Sequence, residues 1–126
     1  MRVTTLIIII VIIGGVAFWA HKAGYFGKAQ TAVQDSFTSH YEVGQQKYRT
    51  MDYTGAIQEL EAAIKAGPDH PEVPSALYRI GDCYREMKQN AKAIEVYQKV
   101  IQDYPDFKMR GQVEQSIEKT RTLGGF

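Results

Sequence analysis

The side chains able to do chemistry in this chain are few and scattered. Its three histidines, His21, His40 and His70, lie far apart, and its one cysteine is Cys83. A zinc-type site needs ligands at close, paired spacing, which these histidines lack, so no metal site is expected. A single thiol cannot close an internal disulfide, form a CxxC redox pair or attach a c-type haem. The thiol falls two residues after Gly81 on a segment of helical period, where a core position is expected; Arg79 and Arg85 are the only neighbours that could stabilise a thiolate. The segment Gly24–Gly27 is too short for a phosphate loop and is not followed by Lys-Ser. No catalytic residue, cofactor or metal is therefore assigned, and the expectation is a protein that is not an enzyme.

The elements available to position side chains fall into two classes. From Val3 to Ala20 the chain reads VTTLIIIIVIIGGVAFWA, 18 residues that rise about 27 Å as a helix, close to the ~30 Å of bilayer hydrocarbon. Isoleucine is a mediocre helix former in water, but in lipid the backbone must satisfy its own hydrogen bonds and that requirement dominates. Trp19 then marks an interface, with His21 and Lys22 at headgroup level. A cleaved signal peptide has an apolar region of similar length, but the best cut, after Gly15-Val16-Ala17, leaves Phe18-Trp19 as the new terminus. Residues 1–22 are expected to be an uncleaved anchor, with Gly14, Gly15 and Ala17 letting a partner helix approach closely. Arg2 on one side nearly balances Lys22 and Lys28 on the other. Because long domains translocate despite such a small bias, the expected topology is an inside amino terminus with the remainder extracytoplasmic, on the periplasmic side.

Net charge is +1, but without Arg2, Lys22 and Lys28 the chain from Asp35 onward carries 12 basic and 14 acidic residues, or −2. That balance argues against a nucleic-acid partner. Residues 23–36 read as a linker or an extension of the membrane helix. Beyond them the sequence repeats. Sliding residues 38–70 by 37 positions superimposes Tyr41 on Tyr78, Gly44 on Gly81, Ala56 on Ala93, Ile57 on Ile94, Ile64 on Ile101, Pro68 on Pro105 and Asp69 on Asp106. Such a period signals stacked supersecondary units.

Each unit reads as two antiparallel helices. Tyr41, Gly44 and Tyr48 share one helical face, and Ala56, Leu60, Ala63 and Ile64 form a second apolar stripe. The short polar stretch Thr50–Thr54 leaves room only for a tight turn between them. Gly44 and Ala56 stand where the two axes come closest, and Pro68 ends the pair by removing a donor. The second unit repeats the plan with Leu77, Ile80, Gly81 and Tyr84, then Ala93, Tyr97, Val100 and Ile101 before Pro105. Residues 106–122 then read as one amphipathic capping helix with Asp106 at its N-cap and Met109, Val113 and Ile117 on its apolar stripe; residues 123–126 form a tail.

These residues resemble the tetratricopeptide repeat, whose pattern W-x2-L-G-x2-Y, A-x3-F and P is approached by Leu77-x2-Ile80-Gly81-x2-Tyr84, Ala93-x3-Tyr97 and Pro105. In the first unit Val43-Gly44, Ala56-x3-Leu60 and Pro68 meet it, whereas His40 and Lys47 stand where large apolar residues are usual. The period exceeds the usual 34 by three residues, which fall within Asp69–Pro74. The implied fold is all-α: a single transmembrane helix followed by a small α-solenoid over 37–122, with repeats at about 37–70 and 74–107. The resemblance implies a protein-protein interaction module whose concave face carries Tyr41, Gln45, Tyr48 and Arg49 from one helix and Tyr78, Asp82, Arg85 and Glu86 from another. Tyr and Arg are enriched at interface hot spots. Tyr41 and Gln45 replace the cation and Asn by which some family members clamp a terminal carboxylate. The expected function is a membrane-tethered accessory or assembly subunit of a larger complex, its partners being protein subunits, membrane-embedded ones among them, and the lipid bilayer. The alternative is an envelope adaptor that recruits soluble partners and uses the helix only as an anchor.

Overall fold

The computed structural model describes residues 25–125, with side chains from residue 35 onward. The anchor expected at residues 1–22, including Gly14, Gly15 and Ala17, lies outside the described residues. No described helix is long and apolar enough to cross a membrane. The described residues form five helices: α1 (Tyr25–Arg49), α2 (Tyr53–Ala66), α3 (Val73–Glu86), α4 (Asn90–Asp103) and α5 (Arg110–Gly124). The contacts divide the chain between Val33 and Gln34, and the packing below belongs to the compact unit Gln34–Phe126.

The 37-residue period governs backbone geometry as well as sequence. Helices α1 and α3 end with the same bonds: Asp52 N–H donates to Lys47 C=O at 2.9 Å, and Gln89 N–H donates to Tyr84 C=O at 2.8 Å. Between these bonds sit Met51 and Lys88, both at φ 64°, and α5 ends on Gly125 at φ 70°. A left-handed residue after the last turn closes the orphan carbonyls of a helix, a position that favours glycine. The connectors 67–72 and 104–109 also copy each other: His70 N–H donates to Gly67 C=O and Phe107 N–H to Tyr104 C=O, each at 3.1 Å. Their six-residue form accommodates the three residues by which the period exceeds 34.

The third copy of this geometry corrects two expectations at the carboxy-terminal end. Helix α5 starts at Arg110 rather than Asp106, because 104–109 is occupied by the double-turn connector; Met109 is its N-cap. It also stands in the register of α3, burying Val113, Ile117 and Thr120 where α3 buries Ala76, Ile80 and Cys83. It is thus the first helix of a third unit, and it runs on to Gly124.

Helices α1, α3 and α5 form one layer and α2 and α4 the other. The layers close where the sequence supplies glycine. A Cβ on Gly44 would lie 2.8 Å from Leu60 Cγ, and one on Gly81 would lie 2.5 Å from Tyr97 Cε1. At the same register α5 carries the exposed Glu118. One core cluster joins α1, α2 and α3 through Phe37, Leu60, Ala63, Val73 and Ile80. The second joins α4 and α5 through Tyr97, Val100, Val113 and Ile117. The free flank of α1 has Ser39, Val43 and Gln46 where α3 buries Ala76, Ile80 and Cys83, and Val43 is 42% exposed. Burying that flank would gain little hydrophobic energy, so it is suited to solvent.

Candidate protein-binding face

The layer α1–α3–α5 presents the side chains expected to meet a partner, but it uses them in two different ways. Over α1, a cleft of about 720 Å³ is lined by Tyr41, Glu42, Val43, Gln45, Gln46 and Arg49, and by Arg79. Spacing along α1 places residues 41, 45 and 49 on one stripe, and α3 supplies Arg79 from across the groove. Arg49 is exposed, reaching only Gln46 at 3.4 Å. Tyr41 stacks its lower face on Phe37, with ring centroids 5.5 Å apart, and stays half-buried.

Over α3, the expected binding residues are largely engaged within the fold. Tyr97 Oη donates to Asp82 Oδ1 at 2.6 Å. Arg79 Nη1 lies 3.3 Å from Asp82 Oδ2 and Arg85 Nη1 lies 3.5 Å from Asp82 Oδ1. Asp82 is only 5% exposed, so it fixes the two arginines instead of meeting a partner directly. Burial raises its carboxyl above the ordinary value, opposed by the Tyr97 hydroxyl and by Arg85 and Arg79. Burial and the Asp82 hydrogen bond push the Tyr97 hydroxyl up as well. Tyr78 is tied to α5, its hydroxyl 3.1 Å from Ser116 Oγ. Arg85 continues outward to Glu86 at 3.2 Å, and that pair lies at the rim.

Arg79 links the two regions and is the residue that sequence reasoning left out of the face. Its guanidinium carbon sits 4.6 Å above the Tyr48 ring, an arrangement that favours a cation over an aromatic face. Tyr48 also meets Tyr53 edge-on at 5.6 Å, so it serves mainly as the floor under Arg79. The Arg79 Nε is buried with no hydrogen-bond partner. The available signal was its spacing: three residues before Asp82 on a helix, it must share that face.

Of the groups first considered for chemistry, Cys83, His40 and His70 are engaged in packing or pairing, and His21 lies outside the described residues. Cys83 is fully buried, and burial, with Asp82 nearby, pushes its thiol up to about 12, so it stays protonated at neutral pH. His40 Nδ1 pairs with Glu59 Oε2 at 2.8 Å, pinning α1 to α2. His70 stacks on Phe37 with centroids 3.8 Å apart.

The paired helices and the close glycine approach at Gly44 and again at Gly81 make the described residues an all-α helical repeat. In agreement, residues 75–106, spanning α3, α4 and the turn between them, match the family model described as tetratricopeptide repeat. No curated protein matches the chain. The match covers the second unit alone; the first unit and α5 share its backbone geometry.

Proposed function

We propose that this protein is a membrane-tethered interaction module without catalytic activity of its own, acting as an accessory or assembly subunit of a larger membrane complex. The observation that carries the interaction reading is the cleft of Tyr41, Gln45, Arg49 and Arg79, where two guanidinium groups, an amide and a phenol line one groove on the helical layer. Such side chains bury large areas while keeping polar tips, the composition of interface hot spots. The face is short and shallow, which suits docking on a folded partner better than enclosing a long peptide.

The tethering reading is supported by the 18-residue apolar run from Val3 to Ala20. A span restricts the helical unit to two dimensions and raises its effective concentration near membrane partners. In this reading the helical unit is extracytoplasmic and Gly14, Gly15 and Ala17 contact a neighbouring span. Affinity purification of the full chain from mildly solubilised native membranes is expected to recover membrane proteins in stoichiometric amounts. Arg49→Glu combined with Arg79→Glu should reduce that recovery at least about tenfold, the effect of one hot-spot contact. Recovery of a lone monomer would overturn the reading. Exchange of residues 3–20 for an unrelated span separates the subunit role, which would suffer, from a soluble-partner adaptor, which would not.

A further inference from the structure

The two connectors share a backbone but differ in how the space beside them is filled. In the first, Phe37 of α1 occupies that space, is 1% exposed and is capped by the His70 ring. Gly67 suits this close approach, since a Cβ there would lie 3.2 Å from Phe37 Cβ, tighter than an ordinary contact. One period later the same positions hold Pro74, Phe107 and Tyr104. Proline lacks the aromatic ring that Phe37 supplies, and among the described residues no aromatic ring stacks on Phe107. Tyr104 takes part of the vacated room by packing against the first core cluster. What remains is a cleft of about 610 Å³ between the connectors, with Pro71, Pro74, Tyr104, Phe107 and Met109 in its walls.

Its rim is charged with one sign in excess. Glu72, Asp103 and Asp106 line it against Lys108 alone. None of these four makes an ion pair among the described residues. The nearby Arg110 is already engaged by Glu114 at 3.0 Å and by the Pro105 carbonyl. Three unpaired carboxylates around an apolar floor favour an occupant that is apolar in the middle and cationic beside it.

We propose that this cleft is an anchor site for a protein segment carrying one aromatic side chain flanked by lysine or arginine. The aromatic ring would lie against Phe107 as Phe37 lies against His70, and the flanking cations would meet Glu72, Asp103 and Asp106. The site is distinct from the Arg49–Arg79 cleft and would add a second contact to a partner already held there.

The test uses the full chain in zwitterionic nanodiscs with ¹³C-labelled methionine methyls and the blocked peptide Gly-Lys-Phe-Lys-Gly as probe. Met109 reports on the cleft, while Met51 and Met87, which follow α1 and α3 at the far turns, serve as internal references. The expected result is a saturable shift of the Met109 methyl with Met51 and Met87 unmoved. Replacing the probe's Phe by Ala should abolish the shift, and replacing both its lysines by Glu should weaken binding by about fivefold or more. Pro74→Phe, which copies the first connector's filling, should close the site. Should that variant fail to fold, Glu72→Lys with Asp106→Lys alters only exposed rim residues and should reverse the preference toward the Glu-bearing probe. A Met109 signal that stays still, equal movement of all methyls, or indifference to the probe's ring or charge overturns the proposal.

Discussion

The first and second helix pairs share their turns and their close glycine contact, yet what meets the glycine is apolar in one and carries a hydroxyl in the other. In α1–α2, Gly44 faces Leu60, and Gln45 follows it on the exposed side. In α3–α4, Gly81 faces Tyr97, whose hydroxyl reaches past the glycine to Asp82. One difference at the closest approach thus separates a next residue that lines the cleft from one drawn into the interior. Leucine leaves Gln45 free to line the cleft, whereas tyrosine recruits Asp82, and Asp82 in turn fixes Arg79 and Arg85. The second pair is therefore the rigid half of the face, and the first is the open half.

The largest test of this contrast is Tyr97→Leu, which gives the second pair the first pair's filling but takes from the buried Asp82 its one hydroxyl partner, leaving it to Arg79 and Arg85. Loss of ring volume and of the hydrogen bond together should destabilise by about 3–4 kcal/mol. Adding Asp82→Gln completes the conversion, and because the two residues share one hydrogen bond the double variant should lose about 1 kcal/mol less than the sum of the two single variants. Thermal loss of helical circular dichroism measures both, and simple additivity of the two changes would mean that Tyr97 and Asp82 do not act as a unit.

A smaller effect should appear in pH dependence. Burial holds the Asp82 carboxyl above its ordinary value, so between that ordinary value and the raised one the native chain keeps a proton that the unfolded chain releases. Stability from this group is greatest below that window and falls as pH rises through it. Asp82→Asn stays neutral throughout and should flatten that part of the curve relative to the parent. A parent and variant with parallel profiles would contradict the role given to burial.

The smallest effect concerns a feature the two pairs share. Met51 and Lys88 hold left-handed backbone that Gly125 adopts without a Cβ. Met51→Gly and Lys88→Gly should each stabilise by roughly 0.5–1 kcal/mol, as relief of that strain exceeds glycine's entropy cost. Unchanged melting in both would show the turns to be unstrained.

Much of this arrangement was legible before the coordinates. Gly44 and Gly81, the stripe at Ala56–Ile64 and the 37-residue period follow from packing rules that leave few alternatives. The third unit was not legible, because α5 shares only Ile117 with the corresponding positions of α3 and has Glu118 where the earlier units have glycine. Its repeat character survives in hydrogen bonds and in the backbone at Gly125, which residue identity does not report. The face was half legible. The family resemblance implied a face with Tyr41, Gln45 and Arg49, but whether Asp82 meets solvent or Tyr97 depends on a contact between α3 and α4 that spacing along either helix cannot reveal.

The central claim, that the α1–α3–α5 layer is the partner-binding surface of a membrane-tethered module, is tested most directly by site-specific photocrosslinking in intact native membranes. A photoreactive residue at Gln45, in the cleft, is compared with one at the exposed Gln98 of α4. The account predicts a discrete adduct to a membrane-complex protein from position 45 that is lost with Arg49→Glu and Arg79→Glu, and none from position 98. Equal adducts from both positions, or none from position 45, would contradict it.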